Sequence, residues 1–413
     1  MLNNFFVKKD ENICQLEEGF MNNFLSFFSA ISLTVLLAGC VDPVKAEKEA
    51  YGAMGAVNES HKSYAAVEIA QGNSKHGIYD PSIEYDNNTG WMTYSSIEMP
   101  KVSTYLAKSS DHGTKWNYVK TLNSAVKEKI IYNNKEILGV WRHEVSTLVH
   151  DPGDRGKEWK LFWHKYFTKK PYKAKDKLYA YGWIAYKTST TPQGPWSEET
   201  ALFGATKFTL KSYGVKIDLN SLHPDLADYL VFTEPAALYF KGLLYLSLEG
   251  SKIPRGMGAW KSRKTFLLVS HDHGKSWKYI GPLVDYRDSE NLDYVVLTAA
   301  SMFEEKGKVF LMVTPSGSLK KSHKNADGMF IFEFENIAEG KLKRDKKKHL
   351  LLHKFVKASE KEGGHGGQGD YDQYNTNGGI VMGHIKKRNL LKVLMKKEKN
   401  KPFNIFSTHQ RVD

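Results

Sequence analysis

Cysteine is nearly missing from this chain of 413 residues: Cys14 and Cys40 are the only two, too few for a disulfide-built scaffold. Long amphipathic helical patterns are missing as well, so nothing competes with strands for the core. Glycine clusters at Gly363-Gly364-His365-Gly366-Gly367-Gln368-Gly369-Asp370, but without the spacing of a phosphate-binding loop, which argues against a nucleotide ligand. No nucleic-acid-binding motif accompanies the basic charge, so no nucleic acid is expected as a partner. The one long apolar run, residues 24–38, holds 15 residues and falls short of a comfortable membrane span.

What is present is aromatic and basic. Tyr (22), Phe (21) and Trp (9) make up 13% of the chain, and 41% of it is hydrophobic, which excludes disorder and leans towards β structure. The formal charge is +13, and a positive balance favours anionic surroundings, acidic glycans among them. Lysine runs at 341–348 and 386–401 carry much of that charge and read as solvated turns or tails.

Residues 24–38 suit the apolar region of a secretory signal that starts at Met21. The run ends in Leu37-Ala38-Gly39-Cys40, which resembles the lipobox of bacterial lipoproteins. The resemblance implies that residues 1–39 are a leader, that Cys40 carries the lipid, and that residues 40–75 form a tether to a domain at 76–413. Cys40 would then be the sole mature cysteine, so no intrachain disulfide is expected. Val41, where retained lipoproteins carry Asp, points to the outer rather than the inner membrane of a bacterial envelope.

A turn of the form Ser-x-Asp-x-Gly-x-x-Trp stands at Ser109–Trp116 and again at Ser270–Trp277, with a variant at Ser189–Trp196. Asp and Ser can bond nearby amides, Gly can take a positive φ, and Trp returns apolar area beneath the turn. Around these turns the chain repeats one theme: a polar opening, an apolar strand, a tight turn and an aromatic-rich strand. Five such units open at Asp80, Glu144, Glu234, Thr298 and roughly Asn377, the first four spaced by 64, 90 and 64 residues. Hairpin-plus-strand units in series predict an all-β, five-bladed β-propeller.

In a propeller the first strand of each unit lines the central channel. Three of the five openings are carboxylates, two of them set before proline as Asp80-Pro81 and Glu234-Pro235. Proline holds its predecessor extended, and converging carboxylates raise at least one pKa. Glycosidic bond hydrolysis uses one protonated acid and one ionised carboxylate.

These motifs resemble the five-bladed propeller glycoside hydrolases, family 43 and its relatives, as does Gly194-Pro195-Trp196 on a blade edge. The resemblance implies Asp80 as general base, Glu144 as the tuning carboxylate and Glu234 as general acid. Glu144 stands where that family usually has Asp, and no spacer separates Glu234 from Pro235. Arg142, on the same strand face as Glu144, together with Trp163 and His365, is expected to contact substrate, whereas His143 should point to the opposite face. The function expected is a glycosidase-like envelope lipoprotein, monomeric, taking a glycan and needing no cofactor; a channel metal such as calcium is left open. The competing reading is a propeller lipoprotein that binds glycan or protein without catalysis. A sialidase fits less well: Ile253-Pro254-Arg255 reverses its arginine motif and comes late in the chain.

Overall fold

The computed structural model describes residues 64–412 apart from 73, 173–176, 206–213, 254–256, 321–324, 362–363, 375–378 and 387–400. Cys40, the leader and Asn377 therefore lie outside the described residues. The described helices are single short turns, the longest being Met257–Ser262 and Tyr286–Asn291. Everything else regular is strand, grouped in five sheets among the described residues.

Each sheet contains an inner strand: β1 (Ile78–Asp86), β2 (Lys135–His150), β3 (Val231–Phe240), β4 (Tyr294–Glu305) and β5 (Gly366–Tyr371); in the second sheet Val126–Tyr132 also pairs with the first half of β2. The chain then steps outward, as in Leu243–Ser251, Lys264–Ser270 and Lys278–Val284 beyond β3. The inner strands pack in a closed cycle: β1 on β2, β2 on β3, β3 on β4, β4 on β5, and β5 back on β1. This is a β-propeller arrangement in which four blades are counted, one fewer than the repeat units of the sequence.

Apolar residues fill each interval between neighbouring sheets. Trp91, Leu106 and Trp163 lie between the first and second sheets, and Phe162, Leu246 and Trp277 between the second and third. Leu267, Leu311 and Phe332 follow, then Phe310, Met329 and Met382, and finally Met92, Val381 and Ile405 next to β1. Closure uses both ends of the domain. Ala65–Ala66 pairs with Phe406 and Ser407 on the fifth sheet, so residues read from the sequence as tether supply an edge strand.

The serine–aspartate turns lie between third and fourth strands, away from the inner ring. In the third sheet Ser270 Oγ donates to Asp272 Oδ1 (2.8 Å), and Gly274 N donates back to Ser270 Oγ (2.7 Å). Ser109 and Gly113 repeat the pattern, and Trp116 and Trp277 are buried beneath.

The fifth unit departs from expectation. Its inner strand is β5 itself, the glycine-rich segment read from the sequence as a loop. The glycines are there for close packing: a Cβ on Gly367 would stand 2.2 Å from Thr314 Cγ2, and one on Gly369 would stand 2.3 Å from Val381 O.

A belt of hydrogen bonds ties the inner strands together. Ser82 Oγ accepts from Leu148 N (3.2 Å), Thr147 Oγ1 from Ala237 N (3.1 Å), and Asp370 Oδ2 from Ile83 N (2.7 Å). Ser301 Oγ donates to Asp370 Oδ1 (2.5 Å). The matching position on β3 is Ala236, which has no polar atom to offer.

Removing one acceptor from this belt leaves a buried amide unpaired. Thr147→Ala should cost about 1–3 kcal/mol in urea unfolding, and Thr147→Ser, which keeps the hydroxyl, distinctly less. Equal losses in the two variants would contradict the belt.

Candidate functional site

The inner strands share a local distortion. Each has an extra residue relative to its neighbour, a β-bulge, and in each bulge one non-glycine residue is left-handed. These residues are Asp80 (φ 52°), Val145 (49°), Glu234 (53°), Ala299 (51°) and Gln368 (50°). Holding such backbones costs on the order of 1–3 kcal/mol each, and strain of this kind clusters at functional sites. All five bulges line one narrow central cavity, with Asp80, Pro81, Val145, Pro235, Ala299, Gln368 and Asp370 on its wall.

The bulges refine which openings correspond. Asp80 and Glu234 are equivalent, each left-handed and followed by proline. Glu144 and Thr298 stand one residue earlier than the left-handed residues Val145 and Ala299. The expectation that three carboxylates hold equivalent positions thus applies to two of them. Glu144 nonetheless belongs to the same charge cluster, because its carboxylate acts on both Asp80 and Glu234.

The environments drive the three carboxyls apart. Burial pushes Asp80 up to about 7, helped by the charge of Glu144; the Ser95 hydroxyl, Lys177 and the Val145 amide oppose the rise without cancelling it. Ser95 Oγ donates to Asp80 Oδ2 at 2.7 Å. Burial raises Glu234 well above the usual carboxylate range, and Glu249, Asp80 and Glu144 add to it against Arg263. Glu234 Oε2 is buried with no hydrogen-bond partner among the described residues. Burial also acts against Glu144, but Lys177, Arg142, a Tyr166 hydrogen bond and His164 outweigh it and hold Glu144 below its ordinary value.

Strand register explains the shell around Glu144. Arg142 lies opposite Tyr166, and Glu144 opposite His164, on the paired strand Trp159–Lys169. Arg142 Nη1 reaches Glu144 Oε1 at 3.4 Å and Tyr166 Oη at 3.3 Å, while its Nε donates to Pro100 O at 2.6 Å. His164 stacks on Tyr166 with ring centroids 4.8 Å apart, and burial draws its imidazole down to about 4.

The other sequence candidates sit differently. Arg142 is 2% exposed, so it orients Glu144 and has almost no surface to offer a substrate. Trp163 is 0% exposed, its Nε1 donating to His143 Nδ1 (2.9 Å), so it is a core residue and cannot stack on a sugar. Aromatic type alone does not reveal which face of a strand it occupies. His143 points away from Glu144, as alternation predicts. His365 lies just before β5, where its Nδ1 accepts from Ala326 N (2.8 Å). No cluster of three or more metal-ligating side chains occurs among the described residues.

Sequence reasoning missed Glu249, Arg263 and Lys177, because it searched only strand openings. Glu249 and Arg263 reach the site from the second strand of the third sheet and the turn after it, and Lys177 from the third strand of the second sheet. Cross-strand register was the signal that could have found Glu249, which faces Thr233 beside Glu234.

The chain matches no protein-family model, and no curated protein matches it in sequence. Among solved structures it is similar to the family 43 endo-arabinanase of Bacillus licheniformis, with 13% identity over 81% of this chain and 93% of that one and a TM-score of 0.46. It is also similar to an exo-1,5-α-L-arabinanase from a bovine ruminal metagenomic library, with 13% identity over 67% and 77% and a TM-score of 0.41. A third such structure is the family 32 β-fructofuranosidase of Bombyx mori, with 13% identity over 88% and 66% and a TM-score of 0.47.

A carboxyl raised by burial opposes folding once it ionises. The cost of Asp80 is absent below its unfolded pKa near 4 and grows as pH rises to about 7. Asparagine tolerates the left-handed backbone and cannot ionise. Asp80→Asn should therefore be more stable than the parent at pH 8, by an amount on the order of 3–4 kcal/mol, with the gain vanishing near pH 4. Denaturant unfolding at both pH values measures it, and a pH-independent difference would refute the assignment.

Proposed function

We propose that this protein is a glycoside hydrolase of five-bladed propeller form, one blade per sheet, held at a bacterial outer membrane through lipid on Cys40. The feature that carries the hydrolase reading is the divergence of three neighbouring carboxyls: Glu144 held below its ordinary value, Asp80 raised to about 7 and Glu234 raised well above the usual carboxylate range. The substrate class is a glycan whose scissile bond enters the mouth above the five bulges.

Glu234 gives its proton to the glycosidic oxygen as the bond from that oxygen to the anomeric carbon breaks. Asp80 takes a proton from the water that forms the new bond to the same carbon, on the opposite face of the ring, which inverts the configuration. Glu144 transfers no proton; its charge raises Asp80 and Glu234 and steadies the cationic transition state. Arg142 keeps that charge in place from behind. After turnover Asp80 holds a proton and Glu234 lacks one, and exchange with solvent restores both.

A screen of pentose, hexose and anionic oligosaccharides for released reducing ends tests the reading. Glu234→Gln should lower turnover by about 10²–10⁴-fold while sparing binding. The rate should rise with pH through about 7, because Asp80 must lose its proton, and fall again as Glu234 ionises. Glu144→Gln should move the rising limb to lower pH, because it removes a charge that raises Asp80. A parent protein that binds glycans but cleaves none of them would replace this reading with that of a non-catalytic binding propeller.

A further inference from the structure

The junction between β3 and β4 is the one where the belt position is an alanine, Ala236, so no side chain there can bond across to the next strand. A different clamp crosses between the same two sheets. Thr298 of β4 donates its hydroxyl to Glu249 Oε2, and Arg263 Nε lies 2.9 Å from Glu249 Oε1. Arg263 Nη1 also reaches Thr298 Oγ1 at 3.4 Å. Glu249 is 4% exposed and pairs in register with Thr233, immediately before the Glu234 bulge. Both of its oxygens are thus held, one by a cation and one by a neighbouring strand.

The Glu249 carboxylate is held in place by the Thr298 hydroxyl and the Arg263 ion pair, and the residue next to its register partner is Glu234, whose Oε2 is buried with no hydrogen-bond partner among the described residues. We propose that Glu249, locked between Arg263 and Thr298, is a positioning residue that presents Glu234 to substrate with its proton in place. Glu249 touches no reacting atom in this scheme; it acts only through Glu234. After burial, its charge is the largest influence raising Glu234, and Arg263 is the opposing one. The two partners of one ion pair should therefore push Glu234 in opposite directions. A purely structural clamp would not do that, since breaking it from either side would have the same consequence.

The inference rests on the acid role proposed for Glu234, but its test does not require turnover. Carboxyl ¹³C NMR of glutamate-labelled full-length protein, with the Glu234 signal assigned by its loss in Glu234→Gln, reads the titration midpoint directly. Glu249→Gln should move that midpoint to lower pH, and Arg263→Gln should move it to higher pH. Where glycosidase activity is found, the falling limb of the rate profile should shift in the same two directions. A Glu234 midpoint unchanged in both folded variants, or shifted the same way in both, overturns the proposal. Opposite shifts in a protein that cleaves nothing would uphold the pairing and reject the hydrolase reading alone. Should one variant fail to fold, Thr298→Val, which removes only the hydroxyl holding Glu249, must still displace the midpoint; no displacement there also overturns it.

Discussion

The bulge repeated in every inner strand is the constraint on which the site depends. A regular strand would carry its side chains alternately into the two packed intervals beside it, with none aimed squarely at the axis. One extra residue in the left-handed region breaks that alternation and turns the backbone at the channel wall. Asp80 and Glu234 occupy this position directly, and Glu144 stands one residue before it. The strain is tolerated because the ring over-determines it. Below the bulges the Ser82, Thr147, Ser301 and Asp370 side chains bind the inner strands together, and apolar clusters fill each interval between sheets.

The electrostatics follow from the same geometry. Of the three carboxyls only Asp80 lines the cavity between the bulges; Glu144 and Glu234 stand beside it, and burial favours the protonated form of each. What differs among them is the local supply of cations and donors. Glu144 has Lys177, Arg142 and Tyr166 around it, which hold it below its ordinary value against burial; Glu234 is raised by burial and by the carboxylates Glu249, Asp80 and Glu144, with Arg263 opposing. Asp80, with a serine hydroxyl on one side and Glu144 nearby, falls between them. A spread of proton affinities thus arises from the placement of a few neighbours around three chemically similar groups.

Much of this was legible in the chain, and the parts that were not have physical reasons. Asp80-Pro81 and Glu234-Pro235 stood out because a carboxylate before proline at a strand opening is an unusual local signal. The serine–aspartate turns were legible because their own side chains close them, with no help from tertiary contacts. β5 was misread because its glycines answer to close approach of Thr314 and Val381, contacts that lie far away in sequence. Trp163 was misassigned because an aromatic residue on a strand looks the same whether it faces core or channel. Glu249, Arg263 and Lys177 were invisible because they come from the second strand of the third sheet, the turn after it and the third strand of the second sheet, and only the tertiary fold brings them near the inner-strand carboxyls.

The central claim is that three neighbouring carboxyls titrate in a set order because of where the bulges and their cations place them. Carboxyl ¹³C NMR across pH on the parent protein, with signals assigned by Asp80→Asn, Glu144→Gln and Glu234→Gln, measures that order most directly. The account predicts Glu144 below the ordinary glutamate range, Asp80 near 7 and Glu234 well above its ordinary value. Three midpoints within the usual carboxylate range would contradict it.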